Sequence, residues 1–290
     1  MKKYFEDKNS TSIPWTSSPF FYELLNADKN LTEEEKKIAV KFYEDGYCIL
    51  DLDISDDFIE SIRKDIKKND FKTQEKGYHY SDNPRIFEGW KFSNSIRELA
   101  NNKKIVSTIE MLYNKTAIPF QTINFLKGSN QPMHSDTIHF HSEPENWVAA
   151  AWVALEDMDE NNGTLFYCPK SHKLPFYTFK TINLEYAKYG EQFEKYHEYE
   201  EFIEAIIKAN KLEKKFFIAK KGQVLIWAAN LLHGGSPVLD KSRTRFSQAT
   251  HYYFDGCEKY YSPMFSDAFK NVIAEKNIKD KDIRGILKNN

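Results

Sequence analysis

The pattern of this chain predicts a mainly β fold with flanking helices (α+β): a double-sheet jelly roll with N-terminal helices and a helical insertion. Two observations carry that prediction. Six short segments, 118–126, 147–155, 164–168, 216–219, 223–228 and 245–254, are rich in β-branched and aromatic residues. They are separated by turn-forming runs, Lys127-Gly-Ser-Asn, Glu160-Asn-Asn-Gly, Lys221-Gly and His233-Gly-Gly-Ser-Pro. Regularly spaced short strands of this kind suggest packed sheets over alternating βαβ units.

In chain order, residues 1–19 are polar and aromatic, with Pro14 and Pro19, and read as an extended lead-in. Thr32 followed three residues later by Glu35 is a capped helix start, and Gly46 ends that helix. A short strand follows at Tyr47–Leu52. A second capped helix begins at Ser55 and carries Phe58, Ile59, Ile62 and Ile66 on one face. A third helical region covers Ser93 to Tyr113. Residues 1–115 are therefore a mainly helical scaffold, and 116–254 are the jelly-roll core. Within the core, the polar stretch 174–215 places Phe193, Tyr196, Tyr199, Phe202, Ile203, Ile206 and Ile207 at helical spacing. It reads as a surface helix packing on the sheet in preference to a lid, at a place where substrate selectivity can be built. The tail, 255–290, carries Phe265, Phe269 and Ile273 and is read as helical. The whole is expected to be one domain, 1–290.

Composition narrows the function classes. With 41% hydrophobic and 15% aromatic residues, the chain can bury a sizeable core, so disorder is not the default. A formal net charge of −2 offers no electrostatic footprint for nucleic acid or an anionic membrane. No phosphate-cradling glycine loop and no GxSxG nucleophile motif is present. Cys48, Cys168 and Cys257 are odd in number and widely spaced, which fits a reduced, cytoplasmic protein better than a disulfide scaffold. No apolar run reaches membrane-spanning length.

The chemistry concentrates in 133–155 and around residue 233. His134 and Asp136 stand two apart, and in an extended segment alternate side chains leave the same face. An imidazole nitrogen and a carboxylate oxygen can thus converge on one cation. His233, just after the apolar run 223–229, is the candidate third ligand. Two histidines and one carboxylate on one face of a metal leave the opposite positions open, as in non-haem Fe(II) oxygenases. A rival pattern, His139-Phe-His141 with Glu145, imitates half of a cupin motif, but Trp152 stands where that motif needs glycine, and it is set aside.

His134-Ser-Asp136, Ile138-His-Phe140, the run 151–157, Asn162-Gly-Thr-Leu-Phe, Pro169-Lys-Ser-His172, Trp227-Ala-Ala-Asn-Leu-Leu-His233-Gly-Gly and Thr244-Arg-Phe-Ser-Gln-Ala-Thr-His-Tyr252 together resemble the phytanoyl-CoA dioxygenase family. The resemblance runs from the Gly46 region to Tyr252. It implies a cupin-like double-stranded β-helix, Fe(II) held by His134, Asp136 and His233, 2-oxoglutarate as cosubstrate, and O2. Arg245 matches the arginine that receives the far carboxylate of 2-oxoglutarate, a task that suits a planar guanidinium fork. Arg243 is the rival, and the spacing to His251-Tyr252 favours Arg245. Trp152 falls where a tryptophan lines the cosubstrate pocket, and is equally readable as a core aromatic.

Gln121 and Asn124, on the strand before the HxD turn, are further candidates for binding cosubstrate or substrate. His139, His141 and His172 are expected at the pocket rim, and His79 and His197 on the surface. The family's halogenating relatives lack the carboxylate that Asp136 supplies, so the resemblance implies a hydroxylase. It would act on an aliphatic C–H of a small, polar metabolite and release succinate and CO2. The alternatives are a non-catalytic jelly-roll binding protein and an oxygenase of an acyl thioester. No nucleic-acid or membrane partner is expected.

Overall fold

The computed structural model describes residues 2–69, 85–184, 192–266, 275–277 and 281–285. Its strands, in chain order, are β1 (Tyr47–Asp51), β2 (Arg85–Phe87), β3 (Ala117–Phe125), β4 (His141–Glu143), β5 (Val148–Ala154), β6 (Leu165–Tyr167), β7 (Lys215–Phe216), β8 (Gln223–Ala228), β9 (His233–Gly235), β10 (Ser247–Phe254) and β11 (Lys259–Tyr261). Its helices are α1 (Lys2–Glu6), α2 (Phe21–Ala27), α3 (Glu33–Asp45), α4 (Asp56–Asn69), α5 (Asn94–Ala100), α6 (Lys103–Tyr113) and α7 (Gln192–Ala209). The major sheet has the order β1-β8-β5-β10-β3-β2 and is antiparallel throughout. A minor sheet, β7-β6-β9, covers one of its faces, and β11 pairs with β4. The mainly β jelly roll with helices is thus the observed fold.

Strand β5 shows why the sequence reads as it does. All seven of its residues are buried, because both faces of the sheet are covered. Ala149, Ala151 and Val153 face the helices and pack in one core with Ile62, Ile66, Ile105, Ile109 and Leu112. Ala150, Trp152 and Ala154 face inward and pack with Leu165, Tyr167 and Phe217 between the two sheets. Truncating a fully buried isoleucine such as Ile62 to alanine costs about 2–5 kcal/mol. Helix α3 starts with the expected capping box, in which the Thr32 side chain accepts from Glu35 N and Glu35 reaches back to Thr32 N. Gly46 ends it at φ 84°, and a Cβ there would lie 2.5 Å from the His172 ring.

Some expectations are refined and others corrected. The helical region 93–113 is two helices, because Asn102 caps a new start by accepting from Lys104 N and Ile105 N. The strand expected at 216–219 is only Lys215–Phe216, and β10 begins at Ser247, so Arg245 lies in the preceding loop. Helix α7 buries Tyr196, Tyr199, Ile203 and Ile207 against Met133, Ile138 and Leu232, which flank the HxD turn and His233. Most of the expected C-terminal helix lies outside the described residues, as does His79. The described part of the tail includes one 3₁₀ turn, Pro263–Phe265. No helix among the described residues is long and apolar enough to cross a membrane.

Candidate metal centre

His134 and His233 meet through their own backbones. His134 N donates to His233 O and His233 N donates to His134 O, both at 2.9 Å, forming an isolated antiparallel bridge. The imidazoles stand side by side with centroids 4.5 Å apart. The loop 129–132 presses directly on the strand that begins with His233. A Cβ on Gly234 would lie 2.7 Å from Gln131 O, so the glycine is required by close approach. Asp136 opens a 3₁₀ turn, Asp136–Ile138, whose cap Ser135 accepts from Thr137 N at 3.2 Å.

Each histidine has its outer nitrogen occupied. The Nδ1–H of His134 donates to Pro132 O at 3.0 Å, and that of His233 to Leu231 O at 2.9 Å. That pairing orients both rings with Nε2 toward the cavity, where the Gln131 amide lies 3.2 Å from that of His134. In His134, burial above all, then His233 and His139, holds the pKa well below the ordinary histidine value, so the ring is neutral. Burial opposes ionisation of Asp136, but His233, His251 and His134 outweigh it and hold the carboxyl below its usual range. One donor atom from each of His134, Asp136 and His233 lies within 4.8 Å of the other two. Two metal–ligand bonds of about 2.1 Å at right angles, as on one face of an octahedral ion, span about 3.0 Å, so the three donor atoms would draw together to close the set. Among the described residues this is the cluster with metal-ligand spacing; His141 and Glu145 of the rejected motif stand 4.0 Å apart and belong to none.

The three ligand candidates border a cavity of about 60 Å³. Arg245 reaches into it from the loop before β10 and is 2% exposed. Its guanidinium lies over Phe125 (4.7 Å) and Trp152 (5.4 Å), and one Nη donates to Lys127 O at 3.3 Å. No carboxylate pairs with it among the described residues, and its Nε is buried without a hydrogen-bond partner. Burial and the neighbouring Arg85 push its pKa down to about 9, which still leaves it charged at neutral pH. Arg243, by contrast, turns outward and pairs with Asp159 at 2.6 and 2.7 Å.

The remaining sequence candidates divide. Trp152 lines the cavity beneath Arg245. Gln121 faces inward opposite His251, its Oε1 buried and without a hydrogen-bond partner, but it is not among the cavity-lining residues. Asn124 is not brought to the site at all. It stands three positions from Gln121, hence on the opposite face, and its Nδ2 donates to Gln248 Oε1 at 3.0 Å on the helical side. His139 is half-buried beside the site, with Nε2 3.0 Å from Tyr196 Oη. His141 packs on Phe176 and Tyr261, whereas His172 donates to Tyr43 O and lines a separate surface groove. His197 is exposed beside Glu201.

Sequence reasoning missed His251, Trp227, Gln131 and Arg85, all of which line the cavity. His251 could have been found: in the strand expected at 245–254 it stands six positions beyond Arg245 and so shares its parity. Its Nε2 lies 3.6 Å from Asp136 Oδ1. Gln131 places its amide nitrogen 3.2 Å from His134 Nε2, where it caps the lone pair.

A jelly roll with two histidines and a carboxylate on a cavity between its sheets defines the class. Residues 51–245 match the phytanoyl-CoA dioxygenase (PhyH) family, and the chain belongs to that family. It is 25% identical over 224 residues to the peroxisomal phytanoyl-CoA dioxygenase of Bos taurus, covering 77% of this chain and 58% of that protein. The solved structure of the epimerase SnoN from nogalamycin biosynthesis, with Fe3+, alpha ketoglutarate and nogalamycin RO, superposes with a TM-score of 0.58 at 14% identity, covering 84% of this chain and 96% of that one. EctD from S. alaskensis, with 2-oxoglutarate and 5-hydroxyectoine, superposes with a TM-score of 0.58 at 18% identity, covering 82% and 81%. At these identities the two structures establish the shared fold.

Proposed function

We propose that this chain is an Fe(II)- and 2-oxoglutarate-dependent dioxygenase that hydroxylates an aliphatic C–H bond of a small, polar metabolite, releasing succinate and CO2. The carrying observation is a conjunction inside one cavity: a His-His pair with a carboxylate, and a buried guanidinium that has no carboxylate partner among the described residues. His134 and His233 would hold the metal through Nε2, and Asp136 through a carboxylate oxygen. That donor set suits a first-row divalent ion with open positions. Arg245 would receive the distal carboxylate of 2-oxoglutarate against the flat wall of Trp152. Bound Fe(II), with 2-oxoglutarate and O2, supplies the oxidising chemistry. The chain's own part is to anchor, to orient and to keep water out.

Family membership supports this reading, as do the Fe3+, alpha ketoglutarate and 2-oxoglutarate named for the two structural neighbours. The polar side chains that line the cavity, Ser129, Gln131 and Arg85, support a polar substrate. The bovine relative's name favours a second reading, an acyl thioester. Three free cysteines, two of them buried, accord with a reducing, cytoplasmic setting. One hydrophobic core runs from Trp15 through the sheet to Ile283, in keeping with a single domain.

The test is calorimetric titration of 2-oxoglutarate into apo and Fe(II)-loaded protein under argon, followed by a metabolite and acyl-thioester screen for succinate release in air. Binding that requires metal and is lost in Asp136→Ala is the expected result. Metal-independent or absent binding would leave only a non-catalytic jelly-roll protein.

A further inference from the structure

Trp227 touches two of the three ligand candidates from β8, with its indole 2% exposed. Its Nε1–H donates to Asp136 Oδ2 at 2.9 Å, and its ring stacks at a tilt on the His233 imidazole, centroids 4.7 Å apart. The other carboxylate oxygen, Oδ1, is the one that faces His233 Nε2 and His251 Nε2, each at 3.6 Å. One oxygen of Asp136 is therefore held by a buried charge-assisted hydrogen bond, and the other is turned toward the imidazoles.

We infer that Trp227 is a positioning residue that restricts Asp136 to one coordinating oxygen. This rests on the metal-dependent reading proposed above. A six-coordinate ion bound by two imidazoles and one carboxylate oxygen has three positions left, enough for a chelating 2-oxo acid and one further small ligand. If Asp136 bound through both oxygens, only two would remain, and the chelate would fill them. The indole N–H ties up Oδ2 and so keeps the third position available. A phenylalanine at 227 would retain the ring against His233 and lose only this hydrogen bond. No backbone group or other side chain among the described residues donates to Oδ2 in its place.

The experiment uses the full chain loaded anaerobically with Fe(II), with nitric oxide as the probe of the third position, read by electron paramagnetic resonance. Wild-type protein should bind nitric oxide both without and with saturating 2-oxoglutarate. Trp227→Phe should bind it normally without 2-oxoglutarate and about 10- to 100-fold more weakly with it, the range seen when outer partners of metal ligands are removed. Equal nitric oxide binding by the variant in both states overturns the inference. If Trp227→Phe does not fold, 3-benzothienylalanine at 227 replaces the N–H with sulfur at constant shape and gives the same two outcomes. Should wild-type protein itself fail to bind Fe(II) and 2-oxoglutarate, the functional proposal falls first and this inference with it. A normal wild type with an unaffected variant sinks the inference alone.

Discussion

Replacing Arg245 by methionine should move stability and ligand binding in opposite directions. The guanidinium is 2% exposed and forms no ion pair among the described residues, with Glu156 acting on it only from a distance, a hydrogen bond to Lys127 O and contacts to Phe125 and Trp152. Burying an ion without a counter-ion costs several kcal/mol, of which two cation–π contacts return about 0.5–2 kcal/mol each. Methionine fills a similar length, keeps the aromatic contacts and carries no charge. Unfolding of the apo protein in chelator should therefore rise by about 1–3 kcal/mol, or about 2–4 °C per kcal/mol for a domain of this size. Affinity for 2-oxoglutarate should fall in the same variant. Breaking one side of a buried ion pair costs about 3–5 kcal/mol, at least about a hundredfold in Kd. Scanning calorimetry of the apo protein and titration calorimetry of the metal-loaded protein measure the two separately. A methionine variant that melts several degrees below wild type refutes the account of Arg245 as an unpaired buried charge. One that binds 2-oxoglutarate unchanged refutes its role as the anchor.

Other consequences follow from the same geometry. Arg243→Ala removes an outward ion pair with Asp159 and should change 2-oxoglutarate affinity less than twofold and stability by no more than about 1 kcal/mol, by the same calorimetry. His134→Ala and Asp136→Ala should each abolish metal-dependent binding of 2-oxoglutarate and any succinate release. Burial pushes the pKa of His139 down to about 3 and that of His141 to about 4, against 6.5 for the unfolded chain. Both rings are thus neutral in the fold while the unfolded chain takes up protons below pH 6.5. Stability is fully present above that pH and is lost toward pH 4, at no more than about 1.4 kcal/mol per pH unit for each ring, as urea titrations across pH 4–7 should show. Tyr196→Phe removes the hydroxyl beside His139 Nε2 and should weaken substrate-stimulated succinate release while leaving 2-oxoglutarate affinity intact.

Local rules were enough for much of this molecule. The Thr32–Glu35 capping box, the apolar face of α4 and the run that became β5 are encoded by neighbours in sequence, so they could be read directly. His134, Asp136 and His233 could be named because HxD spacing and a late histidine form a recognisable pattern of residue types. What the tertiary structure alone decided is direction. Gln121 and Asn124, three apart on one strand, must face opposite ways, but which of them faces inward was decided only by pairing with β10, a partner more than a hundred positions away. Trp227 and Asp136 are 91 positions apart, so no local pattern could join an indole N–H to that carboxylate. That Arg245 forms no ion pair among the described residues is a property of the folded cavity, where distant segments meet. Residue types are written along the chain; the dielectric, the partners and the facing directions that turn them into a site arise only when the sheets close.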